Sequence, residues 1–212
     1  MIDTVIPAPA PRVRVDRIVI FRAGLAMADA EGLSSVSMRA VADRLGVAPM
    51  TLYRHVPSKA GLHGGLVELV LREIVQTPAS PGSDPVDHLV GAVLAAGQAH
   101  PEVFGLVLER IRSARVAGVL HDAFRVALVS SGVPWSNVFL AAEAITTVVI
   151  GVVAAEVAGE AAGRPGGNGA PGDDRVFPMV MHMVQMFVDE QRGRGPFDGT
   201  ARAAAPGPRL TP

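Results

Sequence analysis

The chain has 212 residues, 49% of them hydrophobic and 18% charged, with 19 basic residues against 20 acidic ones and no cysteine. That length suits one or two domains with a substantial core, and the balanced charge excludes a polybasic tail or an acidic solvating chain, so any contact with nucleic acid has to be local. The lack of cysteine excludes disulfides, thiolate metal sites and cysteine nucleophiles, and fits a cytoplasmic protein.

Pro7, Pro9 and Pro11 predict a flexible arm over residues 1–14, and the opening residues lack the basic-then-apolar order of a signal peptide. Over residues 15–31, Ile18, Phe21, Leu25 and Ala28 recur at spacings of three and four, the pattern of one helix face, and Gly32 supplies a stop. Ser37 is a good N-cap for a short helix ending at Leu45 and Gly46, Pro49 suits the first turn of a third helix reaching His55, and Ser58 caps a fourth carrying Leu62, Leu66, Leu69 and Ile74. The stretch TPASPGSDP at 77–85 then breaks the chain.

Further helices are expected over residues 86–99, 103–115, 117–130, 134–159 and 174–192, with a Gly-rich loop at 161–172 and a disordered tail over 193–212. No alternating segment bounded by hairpin turns occurs, so the expected class is all-α. The most apolar stretch, 138–155, holds Glu143, and its uncharged part is only 12 residues long. Spanning a bilayer takes roughly 20, which favours a buried helix and no membrane.

Residues 37–62 read SMRAVADRLGVAPMTLYRHVPSKAGL. Two short helices joined at Gly46 and packed through Val41, Ala42, Leu45, Val47 and Leu52 describe a helix-turn-helix, with Met50, Thr51, Tyr53, Arg54 and His55 on the outer face of its second helix. This segment resembles the TetR family of transcriptional regulators in Leu45-Gly46-Val47, in Leu52-Tyr53-Arg54-His55-Val56 and in Lys59, and the preceding helix ends in the family's EGL at Glu31 to Leu33. The specific likeness covers roughly residues 15–70.

The resemblance implies a three-helix head joined by a linking helix to a helical bundle that binds ligand and dimerises. It assigns residues 15–76 to DNA binding and 86–192 to the bundle. Ser37, Arg39, Met50, Thr51, Tyr53, Arg54, His55 and Lys59 are the implied DNA-binding residues. Arg39 is placed to read a base edge, Met50 and Thr51 face the major groove, and Tyr53, His55 and Lys59 hold phosphates, roles that suit their chemistry. Ala48 departs from the family's frequent capping residue, which weakens the start of the third helix. Residues 1–76 carry nine Arg or Lys against seven Asp or Glu, and Arg12, Arg14 and Arg17 lie in or beside the arm, where solvated surface and backbone contact are equal expectations.

The segment around 141–159 is apolar on nearly every face, and Met179, Met183 and Met186 recur at helical spacing beside Val180 and Phe187. The resemblance implies that these last two helices pair with their copies as a four-helix bundle in a homodimer; a monomer core is the alternative. Gln98, His100, Phe104, Glu143, Thr147 and His182 are polar or aromatic positions in apolar segments and are candidate ligand contacts. No protein-built metal site and no cofactor are expected, because no histidine pair has ligand spacing. Val75 and Val107 align with the histidines by which tetracycline-binding members hold a drug–magnesium chelate, which argues against that ligand.

The expected function is a homodimeric repressor of a palindromic double-stranded DNA operator, released by a small, largely apolar effector, and not an enzyme. A helical enzyme or ligand carrier with an incidental helix-turn-helix, or a TetR-like activator, remains open at this stage.

Overall fold

The computed structural model describes residues 15–111, 114–161 and 176–193. The arm expected over 1–14, almost all of the Gly-rich loop and the tail beyond Gly193 lie outside the described residues. Within them the chain is all-α, as expected, with no strand: α1 (Arg17–Glu31), a 3-10 turn (Leu33–Ser35), α2 (Met38–Leu45), α3 (Pro49–His55), α4 (Lys59–Gln76), α5 (Pro85–Ala99), α6 (Pro101–Arg110), α7 (Ala114–Ser130), α8 (Trp135–Ala161) and α9 (Val176–Gly193).

Side-chain caps fix several of the starts. Asp16 accepts from Val19 N at 2.9 Å, Ser37 from Ala40 N at 3.1 Å, Ser58 from Gly61 N at 3.0 Å and Asp84 from Val86 N at 2.8 Å, each satisfying a backbone donor that the helix leaves unpaired. The sixth helix differs from expectation. It begins at Pro101 and ends at Arg110, where the Ile111 N–H bonds back to Leu108 O, and α7 starts at Ala114. Apolar spacing carried the sixth helix on to residue 115 and started the seventh at 117, because Val107 of α6 and Val116 of α7 both enter the core and the spacing does not mark the break between them.

α1 crosses α4 closely at Gly65, where a Cβ would overlap the Phe21 ring. α2 packs on both α3 and α1, and Val41, Ala42 and Leu52 are all fully buried. α4 runs on from this group to pack against α5, α6 and α7, and α8 lies along α7 while also contacting α5, α6 and α9. One continuous core joins these elements. Residues Trp135–Val157 are long and apolar enough to cross a membrane by length and composition, but their inner positions Val138, Ala141, Ala142, Ile145, Val149 and Val153 are buried in that core.

Asp84 ties the far end of the bundle together. Besides capping α5 it accepts from Ser131 Oγ at 2.9 Å and from Arg192 Nη2 at 2.6 Å, and Arg192 Nε donates to Ser131 O at 2.6 Å. Burial alone would raise the Asp84 pKa; the bonds from Val86, Ser131 and Arg192 outweigh it and hold the carboxyl below its ordinary 3.8. A lowered folded-state pKa contributes stability above the unfolded value, and that contribution is lost as pH falls through the folded value. Asp84→Ala is expected to lower unfolding stability by about 1–2 kcal/mol at neutral pH, with the deficit shrinking in acid as the parent loses the same ionised bonds. Urea unfolding of both proteins at neutral and acidic pH checks this.

Candidate nucleic-acid interface and cavity

The α2–turn–α3 unit is built by local chemistry. Ser37 caps α2, Gly46 takes a left-handed conformation (φ 67°, ψ 33°), and its N–H closes onto the carbonyls of Ala42 and Asp43. A residue with a Cβ is strained there, which explains the glycine. Leu52 anchors α3 from beneath. Ala48 provides no side-chain cap, so α3 relies on Pro49 and on the Thr51 N–H bond to Ala48 O at 2.8 Å.

This anchoring turns a row of side chains outward. Met50 is 72% exposed, Arg39, Tyr53, Arg54 and Lys59 are exposed, and Thr51 and His55 are half-buried. The Ser37 hydroxyl accepts its cap bond and keeps its proton available. The neighbouring Arg44 is taken up by Glu31 at 3.0 Å, which fastens α2 to the end of α1. Arg17 lies over the Phe21 ring at 5.6 Å, and Arg12 and Arg14 fall outside the described residues. The result is an outward face combining cations, a phenol and a flexible apolar side chain.

The expected ligand contacts do not converge. Gln98, Glu143, Thr147 and His182 are exposed, Thr147 Oγ1 donates to Glu143 O at 2.8 Å, and Phe104 is fully buried in the core. His100, with its side chain 12% exposed, sits between two carboxylates: Nδ1 is 3.0 Å from both Asp29 oxygens and Nε2 is 3.2 Å from Glu73 Oε2. Carboxylates only accept, so each ring nitrogen faces an acceptor. His100 therefore joins α1 to α4 from the α5–α6 corner. Close by, Leu33 N donates to Glu102 Oε2 of α6 at 3.1 Å.

A cavity of about 470 Å³ opens instead between α4, α6 and α7. Val67, Leu71, Val75, Val116 and Val119 give it apolar walls, and Glu68, Arg72, Gln76 and Arg110 supply its polar groups. Nη1 of the lining Arg110, and Nε2 of His63, which precedes the lining Gly64, are buried without a hydrogen-bond partner among the described residues. Burial, then the charges of Lys59 and Arg110, push the His63 pKa below its ordinary 6.5 against an opposing pull from Glu109. Sequence reasoning missed this group, although His63, Val67, Leu71 and Val75 form a four-residue repeat that puts them on one face of α4.

The family model described as bacterial regulatory proteins, tetR family, matches residues 20–64. The HTH-type transcriptional repressor DrrR1 of Streptomyces coeruleorubidus is 42% identical over 79 residues, which are 37% of this chain and 26% of that protein. The chain thus matches about a quarter of that relative's length. An HTH-type transcriptional regulator of Saccharopolyspora erythraea is 28% identical over 163 residues, 76% of this chain and 68% of the relative. Among solved structures, the transcriptional regulator SCO7222, a TetR from Streptomyces coelicolor, superposes with a TM-score of 0.69 at 18% identity, covering 84% of this chain and 98% of the other. ActR of the same organism, solved in complex with actinorhodin, gives 0.62 at 21% identity, covering 87% and 100%. At these identities the structures establish the shared fold, and the family model's match covers the helix-turn-helix. Residues 20–64 thus match the DNA-binding region of the TetR family of bacterial regulatory proteins, and the chain shares the fold of solved TetR regulators.

Proposed function

We propose that this chain is a cytoplasmic homodimeric repressor that binds a palindromic operator and is released by a small effector. Residues 15–76 act as the DNA-binding head and 86–192 as the effector-binding and dimerisation bundle. The observation that carries the reading is the row Arg39, Met50, Tyr53, Arg54 and Lys59, turned outward on a capped helix-turn-helix. Arg39 can pair with a guanine edge, while Tyr53 and Lys59 hold phosphates and fix register. The naming of DrrR1 as a repressor supports the sign of regulation, and the actinorhodin complex of ActR supports a small-molecule effector.

Dimerisation is supported by apolar surface that a single chain leaves in water. Trp135 is 78% exposed and Met186 62%, and Phe139, Leu140 and Val148 of α8 and Met179 and Met183 of α9 are exposed as well. Exposed apolar side chains of this kind on two helices in contact favour an interface, and a two-fold dimer presents two recognition helices to half-sites one DNA turn apart.

The effector would act through α4, which lines the cavity with Val67, Leu71 and Val75 and continues into the head at Lys59. A ligand that prefers a different placement of α4 lowers the population competent for the operator. The His100 bridge fixes that placement from the other side.

The protein is expected to retard DNA from its own upstream region at moderate salt; Arg39→Ala costs about 1–3 kcal/mol with relaxed base preference, and Lys59→Ala weakens all sequences alike and reduces the salt slope by about 1. Equal retardation of unrelated DNA by the unaltered protein would defeat the operator reading. Met183→Glu, which places a charge on the apolar face, is expected to give a monomer by light scattering and to lose operator binding. His100→Ala is expected to weaken the operator complex by about 1 kcal/mol, roughly fivefold, while leaving the dimer intact; an unchanged operator affinity would separate the bridge from placement of the head.

A further inference from the structure

We propose that the cavity between α4, α6 and α7 takes a small monocarboxylate with an apolar body, its carboxylate held by Arg110 and His63. The proposal rests on the effector reading above and deepens it by naming the ligand's chemistry.

Two adjacent rows of α4 face this space. Val67, Leu71 and Val75 form an apolar row, which His63 begins one turn earlier, and Gly64, Glu68, Arg72 and Gln76 form the row beside it. Val116 and Val119 of α7 complete the apolar walls, and Arg110 enters from the end of α6. The volume of about 470 Å³ lies in the ordinary range for small-molecule sites.

The polar end is unusual because Arg110 Nη1 and His63 Nε2 are both buried and both lack a hydrogen-bond partner among the described residues. A guanidinium is charged at any working pH, and a buried N–H without an acceptor is unfavourable, so the arrangement favours a ligand that brings one. A carboxylate does so with matching planar geometry. The surrounding charge sets the sign and the size. Lys59 and Arg110 already depress the protonation of His63, with only Glu109 opposing them, so a cationic group is disfavoured here. Around the cavity Arg72 and Arg110 face a single carboxylate, Glu68, an excess of one positive charge that matches a monoanion better than a dianion.

Binding also moves a proton. His63 is neutral at neutral pH in the unliganded chain, because burial and its cationic neighbours hold its pKa down. A carboxylate beside Nε2 opposes that effect, so the imidazole takes up a proton as the ligand enters and then donates to it.

Octanoate and octanamide share an apolar body and differ in charge, so calorimetric titration of the full chain with each probe decides the matter. Octanoate is expected to bind once per chain at least tenfold more tightly than octanamide, with proton uptake revealed by buffers of different ionisation heat. Arg110→Gln is expected to abolish the preference, and His63→Gln to abolish the proton uptake while octanoate still binds. Equal binding of the two probes by the unaltered chain overturns the proposal without recourse to any variant, and so does a preference that survives Arg110→Gln. Operator retardation by unliganded protein tests the regulatory reading separately: failure of octanoate on a chain that binds its operator overturns the site alone. Octanoate binding that leaves operator affinity unchanged supports the site and removes its role as the effector pocket.

Discussion

The crossing of α1 over α4 at Gly65 is the contact on which the rest of the molecule depends. With no Cβ at 65, the Phe21 ring lies against the α4 backbone, and Gly24 of α1 meets Leu62 and Leu66 across the same contact. The helix that closes the head core through Leu62 and Leu66 is thereby the helix that supplies Val67, Val70, Leu71 and Ile74 to the bundle core. No flexible linker separates the two groups of helices, and an 18-residue rigid rod runs through both. A change in where α4 sits beside the cavity is carried along the rod, because packed helices move as units and do not bend at every residue.

The His100 contacts act on the same rod from the opposite side. Its imidazole sits at the start of α6, and the two carboxylates it meets come from α1 and α4, so three elements are held by one side chain. Glu102, two residues on, takes the Leu33 N–H just after α1. These polar contacts are partly exposed and individually modest. Their importance is geometric, since they select one angle between helices whose apolar packing alone would tolerate small rotations.

Much of the head was legible in the sequence. Ser37, Gly46, Pro49 and Ser58 each have a local physical role that does not depend on distant partners, and the starts and stops they imply agree with α2, α3 and α4. The bundle was legible as helices but not as a site. Gln98, Glu143, Thr147 and His182 looked like pocket residues because they are polar in apolar surroundings along the chain, yet the rotation of α5, α8 and α9 against their neighbours turns them to the surface. That rotation is set by which apolar rows meet across helix pairs, a long-range choice that sequence spacing does not encode. His63 and Arg110 were invisible for the same reason: they lie far apart in sequence and acquire their character only where α4 and α6 pack together.

The charge balance of the whole chain, net −1, hides this local specialisation. Cations on the head are spent in two distinct ways: Arg44 is neutralised by Glu31, while Arg39, Arg54 and Lys59 stay exposed on one face. Inside, Arg110 has one buried donor, Nη1, with no partner among the described residues, and its charge helps to keep the His63 imidazole neutral. Exposed cations cost little to leave in water and gain from a polyanion through release of its counterions. A buried donor left without an acceptor is costly unless something completes it. The same residue chemistry at two depths therefore suits the two proposed partners, a long polyanion outside and a single small anion within. The helix connecting the two depths is the one whose position both would have to share.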